Sequence, residues 1–343
     1  MMKIRENVSL RNYSTMRLGG AARYLADVKN HQDLQQAVNW AADNQLPIIM
    51  IGRGSNIIWR DEGFSGLVLV NKFKGREVLA EDNHSATLKI AAGENWDETV
   101  KWTVDKKLSG IEYMSLIPGT VGAAPVQNVG AYGGELAYTL LELEAFDAQF
   151  KTFVKLQNHE CGFSYRSSRF KTTDRGRFFI TSITLNLRKA PPAPPFYNSL
   201  QRYLDENGIS KYSSKTIREA VIEIRRAKLP DPEKVSNNGS FFTNPIVEAA
   251  KFEELKRTYP EIKGWAVADG RVKIAAAWLV EQAGFKGVRD PETGMATWPK
   301  QALVLVNENA RGASDLLAFR QKILDKVQQM FGIALEQEPE ILP

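Results

Sequence analysis

The chain has 343 residues, of which 43% are hydrophobic and 25% charged, with a formal net charge of +5. That length accommodates two or three domains, and the composition is that of a globular protein. The charge is scattered and forms no basic tail or polybasic block, so it suits anionic small molecules as well as nucleic acid and decides neither. Cys161 is the single cysteine, which excludes an intramolecular disulfide. The opening residues MMKIRENVSL lack the apolar centre of a signal peptide, and no run approaches membrane-spanning length. The expectation is a soluble, cytoplasmic protein.

In chain order, Gln32–Gln45 places Leu34, Ala37, Val38 and Ala41 at helical spacing and predicts an amphipathic helix. Pro47 follows, and Ile48–Ile51 predicts a buried strand. Gly52-Arg53-Gly54-Ser55-Asn56 comes next. A glycine-rich turn directly after a strand is where α/β folds bind phosphates. It fails the dinucleotide fingerprint, because Ile57 stands where the third glycine belongs. No Gly-Lys pair occurs, so a P-loop is excluded.

Leu67–Val70 and Ala86–Ala91 predict strands, and Trp96–Lys107 a helix. The stretch Ser115–Glu135, SLIPGTVGAAPVQNVGAYGGE, then stands apart from the rest. It is rich in glycine and alanine and almost uncharged. Glycine permits positive φ and close approach of the backbone to a ligand, and successive small residues with free N–H groups form anion-binding nests. Gln127, Asn128 and Tyr132 add amides and a phenol for a ring or a sugar. The stretch is read as a bed for a phosphate-bearing cofactor, against the plainer possibility of a glycine-rich structural hairpin. Period-two runs follow at Leu141–Phe146, Thr152–Leu156 and Phe178–Leu187. They predict one mixed sheet ending near Lys189.

Pro191–Pro195 is a stiff connector or the edge of a site. Beyond it helices are expected at Ser214–Ala227, Val247–Thr258, Lys273–Ala283 and Ser314–Phe331. Short strands are expected near Ala302–Val306 and Ile333–Glu336, so the C-terminal part reads as an α/β domain. Local chemistry is offered at CGFSYRSSRF from Cys161, where adjacent Tyr165 and Arg166 can clamp a carboxylate. It is also offered at SNNGSFFTNP from Ser236, a tight turn presenting a hydroxyl beside aromatic residues. His31, His84 and His159 lack metal-ligand spacing, and no Gly-x-Ser-x-Gly elbow exists. A zinc hydrolase and a triad hydrolase are thereby set aside.

Taken in order, GRGSN, IPGTVGAAPVQNVGAYG, CGFSYRSSRFK, RRAKLPDP, NNGSFFTNP and the terminal EPE resemble the UDP-N-acetylenolpyruvoylglucosamine reductase family, type I form. The resemblance runs from Asn12-Tyr13-Ser14-Thr15 to the C-terminus. It implies an α+β fold: a two-subdomain FAD-binding domain of the vanillyl-alcohol-oxidase type plus a C-terminal α/β substrate domain. The implied divisions are 1–70, 71–228 (with the Tyr197 loop) and 229–343. The implied activity belongs to peptidoglycan precursor synthesis. Hydride passes from NADPH through the flavin to the terminal methylene of an enolpyruvyl nucleotide, and a proton is then added at C2.

The resemblance also implies roles, residue by residue. Arg166, Ser240 and Glu340 are catalytic: Arg166 for the carboxylate and the charge that develops on it, Ser240 for the proton, Glu340 as a polarising group. Tyr165, Tyr197, Lys228, Asn244 and Gln301 bind the substrate UDP-N-acetylglucosamine enolpyruvate, with Tyr197 closing over it and Lys228 and Asn244 on its diphosphate. FAD is held non-covalently by Gly52, Arg53, Gly54, Ser55 and Asn56, by Pro118, Gly119, Gly122, Ala123, Gln127, Asn128, Gly130, Ala131 and Tyr132, and by Arg225. No metal, nucleic acid or membrane insertion is implied. Three features depart from the usual pattern: Arg53 for a glycine, Thr243 for a lysine, and a chain that stops three residues after Glu340. Two other classes stay open at this stage, namely another FAD-dependent oxidoreductase on the same scaffold and a non-catalytic binding module. Oxidation of NADPH only in the presence of the enolpyruvyl nucleotide separates them from the reductase.

Overall fold

The periodicity near Gln32 becomes a helix, α1, over His31–Asp43, with Leu34, Ala37, Val38 and Ala41 buried along one face. Asn30 starts it, its side-chain oxygen accepting from the Asp33 N–H at 2.8 Å, as N-cap residues do. The computed structural model describes residues 2–343, and these divide into two compact units. One holds the chain up to Val8, Ala22–Arg53 and Phe64–Arg226; the other holds Ser9–Ala21, Gly54–Gly63 and Ala227–Pro343.

The first unit contains separate four-stranded and five-stranded sheets where the sequence suggested one mixed sheet. The first sheet has the order Ile4–Ser9, Ala21–Val28, Phe64–Asn71, Ile48–Ile51, and its last three strands run parallel. Phe64–Asn71 lies between two strands and is buried at nearly every position, as a central parallel strand should be. Ile48–Ile51, expected to be buried, is an edge strand with only Ile51 fully covered. The second sheet is antiparallel, in the order Thr152–Gln157, Leu140–Asp147, Phe178–Arg188, Ser85–Ala91, Arg76–Glu81. The period-two runs belong here. Alternation marks a sheet with one face on a core, and Leu143, Ala145, Ile183, Leu185 and Leu187 all point into one cluster with the helix α2, Trp96–Asp105.

Two helices follow the proline run. Asn198–Glu206, for which the sequence predicts no element, forms α3, and α4 covers Ser214–Lys228, its last two residues counting with the second unit. Leu200, Leu204, Ile217, Val221 and Ile224 pack together, with Tyr132 of the glycine-rich stretch and Tyr113 just before it against them.

The second unit pairs Ser236–Ser240, Gln301–Asn307, Met295–Trp298 and Arg289–Asp290 in an antiparallel sheet. A three-stranded sheet, Ile246–Val247, Val272–Ile274 and Gly264–Ala266, stands beside α5, Ala249–Thr258. Two expected helices are therefore shorter than predicted. Val247 ends a strand before α5, and Lys273 sits in a strand, so that α6 begins only at Ala276 and ends at Gln282. α7 covers Ala313–Phe331, and Asp61 supplies its missing cap by accepting from Ala313 N–H at 2.6 Å and Ser314 N–H at 2.9 Å.

Ile333–Glu336, expected as a strand, carries no ladder. Its alternation reflects two side chains, Ile333 and Leu335, dropping into the core after the Gly332 turn. The terminal strand is Glu340–Leu342, parallel to Ile57–Trp59. Met16, Leu18 and Ile58, from early in the chain, join this core with the fully buried Phe241 and Phe242. Each such burial contributes about 1.5–3 kcal/mol, which holds the two early segments to the C-terminal unit.

Candidate active site

Within the first unit, the two glycine-rich loops touch. A Cβ on Gly52 would lie 2.2 Å from Thr120 Oγ1, and one on Gly122 would lie 2.5 Å from Ala92 Cβ. Gly119 has φ +132°, open to glycine and strained for other residues. Pro118 and Ala123 are exposed on this loop, and Gln127 is half-buried. The stretch ends in a hairpin, Gly130–Ala131 against Gly134–Glu135. Its two turn residues, Tyr132 and Gly133, have φ +50° and +86°, the signature of a type I′ turn.

The Arg166 turn is tied to that hairpin. Ser164 and Ser167 exchange backbone hydrogen bonds of 3.1 and 3.2 Å, which makes Tyr165-Arg166 the tip. Ser168 Oγ donates to Val126 O at 2.6 Å, Asn128 Nδ2 to Ser164 O at 3.3 Å, and Arg166 Nη2 to Gly130 O at 2.7 Å. The Arg166 guanidinium also lies 5.3 Å from the centre of the Tyr165 ring. Arg166 has φ +54°, a left-handed conformation that costs a non-glycine residue about 1–3 kcal/mol and that concentrates at functional sites. Asn128 is used up by the protein itself: its amide donates to Glu135 at 2.9 Å, and its oxygen accepts from Ala137 N–H at 3.0 Å. It shapes the hairpin from beneath.

Arg225, on α4, faces Tyr132. Its guanidinium donates to the phenol oxygen, and burial pulls the arginine pKa down while pushing that of Tyr132 up. Arg225 Nε is buried with no protein partner. The Tyr132 ring meets Tyr197 edge-on at 6.2 Å, and Tyr197 is 48% exposed at the start of α3. Residues missed in the sequence complete the arrangement. Asp97 receives Arg218 through both oxygens, at 2.6 and 3.0 Å, and also accepts from Leu116 N–H at 2.5 Å. α4 is thus fastened to the entrance of the glycine-rich stretch. A helix-start aspartate (Asp97) and an arginine seven residues before Arg225 carry no motif that would have pointed to this.

The second unit collects the other set. Gly54 packs against Tyr13, where a Cβ would lie 2.0 Å from the carbonyl oxygen, and Gly54 O accepts from Thr15 N–H at 3.1 Å. Asn56 O accepts from Glu340 N–H at 2.9 Å, and Ser55 O from Asn238 Nδ2 at 3.2 Å. Glu340–Leu342 is therefore held as a strand, and Glu340 is fixed at its first position. Ser240 ends its own strand opposite Val304, after a bulge at Gly239 with φ +73°. Phe242 and Gln337 form a bridge, and Thr243 N–H donates to Glu336 O at 2.9 Å, so the segments bearing Ser240 and Glu340 run side by side. Asn244 Oδ1 accepts from Ala276 N–H at 3.0 Å and caps α6, while Gln301 opens its strand. Lys228 is exposed at the end of α4, and Arg53 is exposed in the first loop.

These geometries suit a flavin nucleotide. Glycines sit where an added Cβ would strike the neighbouring segment, and the part-buried Arg225 keeps an unused donor at Nε. The region from residue 22 to 152 matches the family model of an FAD binding domain, and 231–342 matches that of the C-terminal domain of UDP-N-acetylenolpyruvoylglucosamine reductase. The chain is 37% identical over 340 residues to the UDP-N-acetylenolpyruvoylglucosamine reductase of Pseudomonas aeruginosa, covering 99% of each. It is 41% identical over 335 residues to that of Paraburkholderia phytofirmans, covering 97% of this chain and 96% of the relative.

The chain belongs to the UDP-N-acetylenolpyruvoylglucosamine reductase family. Its fold is that of the crystal structure of the reductase from Thermus caldophilus, with a TM-score of 0.70 and 23% identity over the full length of both. As a member of this reductase family it is an FAD-dependent oxidoreductase, with an FAD-binding domain followed by the family's C-terminal domain. Among the described residues no group of three or more histidine, cysteine or acidic residues is placed to hold a metal, and no helix is long and apolar enough to cross a membrane.

Proposed function

We propose that the chain reduces the enolpyruvyl group of UDP-N-acetylglucosamine enolpyruvate to the lactyl ether with NADPH, giving UDP-N-acetylmuramate for peptidoglycan precursors. The observation that carries this is full-length identity of 37–41% to reductases of that name, through both the FAD-binding and the C-terminal regions. A cytoplasmic location belongs to the same proposal, since NADPH and nucleotide sugars are metabolites of that compartment. So does a division at about residues 70 and 228 into two flavin subdomains and a substrate domain.

When bound, FAD supplies a two-electron carrier between NADPH and the methylene carbon of the enolpyruvyl group. The loops at Gly52–Asn56 and Pro118–Tyr132 would hold it, with Arg225 adding a donor that the protein leaves unused. Arg166 pairs with the substrate carboxylate, into which negative charge spreads as C3 gains hydride. Its guanidinium is held by the Gly130 carbonyl, so little reorganisation accompanies that charge. Ser240 gives its hydroxyl proton to C2, a transfer within reach of a weak acid because the acceptor is strongly basic. Glu340 polarises the reacting end of the substrate. Tyr165, Tyr197 and Gln301 line the substrate, and Lys228 and Asn244 Nδ2 take its diphosphate. Asn244 keeps its amide nitrogen for this while its oxygen caps α6.

The test separates the two half-reactions. S240A should leave flavin reduction by NADPH within about threefold of wild type and slow reoxidation by the enolpyruvyl nucleotide by about 10²–10⁴. Equal rates in both half-reactions would remove Ser240 from the mechanism.

A further inference from the structure

The sequence SNNGS places two asparagines before Ser240, and neither has a role in the chemistry proposed above. Both are buried, Asn237 to 3% exposure and Asn238 to 6%. A buried amide is costly unless its groups are matched, so the nitrogen of each should find acceptors; Asn238 Oδ1, by contrast, is buried without a hydrogen-bond partner. Asn237 spends its amide locally. Its Nδ2 donates to Val235 O at 2.8 Å and its Oδ1 accepts from Gly239 N–H at 2.8 Å, which closes a turn around the bulge. Bulges re-aim the side chain that follows, here Ser240.

Asn238 reaches outward instead. Its Nδ2 lies 3.1 Å from Thr15 Oγ1, 3.2 Å from Ser55 O and 3.3 Å from Ile57 O. Two of these acceptors are backbone carbonyls of the glycine-rich flavin loop and the strand that follows it. The nitrogen, and not the oxygen, must face them, because carbonyl oxygens only accept. The neighbouring carbonyl of the same loop, Asn56 O, receives Glu340 N–H at 2.9 Å. Three successive carbonyls, 55 to 57, therefore locate both the Ser240 strand and the Glu340 strand.

We propose that Asn238 is a positioning residue that references the proton-donating Ser240 turn to the flavin loop Gly54–Asn56. It rests on the proposed function for the role of Ser240, while the clamp itself is independent of that role. Proton transfer needs reacting atoms about 3–3.5 Å apart, and a displacement of about 1 Å costs as much as 10²-fold in rate. Without the amide, the bulge remains, closed by Asn237, but the turn loses its reference to the loop.

Two variants test this. In N238A, reoxidation of reduced flavin by the enolpyruvyl nucleotide should slow about 10–100-fold, with flavin reduction by NADPH within about threefold of wild type. N238A/S240A should be no slower than S240A alone, since the amide acts only through the serine. Equal slowing of both half-reactions, or effects that multiply in the double variant, would overturn the proposal. N238D reads the clamp without catalysis. A carboxylate facing two carbonyls is disfavoured, so its pKa rises in the folded state, and protonated it can donate to one of them. A group whose folded pKa is raised stabilises at low pH and loses that contribution as pH rises. The melting temperature of N238D apoprotein should therefore approach wild type near pH 5 and fall below it toward pH 8. A gap that does not change with pH would show that the amide does not face those carbonyls. Should N238A fail to fold, N238D at pH 5 and pH 8 carries the kinetic test, with the slowing of reoxidation expected only at pH 8. If wild type reduces its flavin with NADPH but the enolpyruvyl nucleotide does not reoxidise it, the proposed function fails, and the N238D melting profile still decides the clamp.

Discussion

Gly122→Ala is the sharpest perturbation of the flavin bed. The added methyl would stand 2.5 Å from Ala92 Cβ, 3.1 Å from its Cα and 3.2 Å from its carbonyl oxygen. Ordinary contact begins near 3.4 Å, so the two segments must part by about 1 Å. Neither side yields easily. Ala92 is fully buried and donates to Thr181 O at 2.9 Å, and Gly122 N–H donates to Ala92 O at 2.8 Å. Overpacking of this kind costs about 1–3 kcal/mol, offset by about 0.4–1 kcal/mol from the stiffer unfolded chain, so a net loss of about 1–2 kcal/mol is expected. The glycine-rich loop would move by the same distance, and each 1.4 kcal/mol lost in FAD contacts is about tenfold in affinity. Denaturant unfolding of apoprotein reads the first effect, and quenching of flavin fluorescence on titration reads the second. G208A is the control: Gly208 has φ +64° and open space around it, so an alanine there brings backbone strain without touching the loop. G122A should lose both stability and FAD affinity, and G208A stability alone. Wild-type FAD affinity in G122A would refute the assignment of this loop to the cofactor.

The fastening of α4 gives a pH-dependent prediction. Burial raises the pKa of Asp97, but the Arg218 guanidinium and the Leu116 N–H outweigh it and hold the carboxyl below its ordinary value. A depressed pKa contributes stability above the unfolded value near 4 and loses it as pH falls below that. D97N should therefore be less stable than wild type at pH 7, by about 3 kcal/mol because Arg218 is left buried without its partner, and the gap should narrow toward pH 3. An unfolding series across that range checks it, and a gap as large at pH 3 as at pH 7 would rule out the ion pair as its cause. Cys161 should resist maleimide at pH 7.5 in the native protein and react once denaturant is added, because burial pushes its thiol up to about 12. Prompt native labelling would mean that the Cys161–Arg169 loop opens.

What could be read in the sequence divides along physical lines. Amphipathic helices and long alternating strands were legible because their periodicity is local: α1, α2 and α7 lie within a residue or two of expectation. The glycine-rich loops were legible because only close backbone approach explains so many small residues. The partners of those loops were not. Nothing local says that Ser9–Ala21 and Gly54–Gly63 pack with the C-terminal unit, since Met16, Leu18 and Ile58 are ordinary apolar residues whose burial is settled by distant contacts. Asp97–Arg218 and Asn238–Ser55 were invisible for the same reason: they join residues 121 and 183 positions apart. Ile333–Glu336 was misread as a strand because two buried side chains mimic alternation without a neighbouring strand to pair with.

The most direct measurement is the visible spectrum of the FAD-loaded protein under anaerobic conditions. The account predicts that the oxidised flavin bands bleach on adding NADPH, persist in the bleached state, and return on adding one equivalent of UDP-N-acetylglucosamine enolpyruvate. Bands that bleach and stay bleached with the enolpyruvyl nucleotide present, or a protein that takes up no FAD, would contradict it.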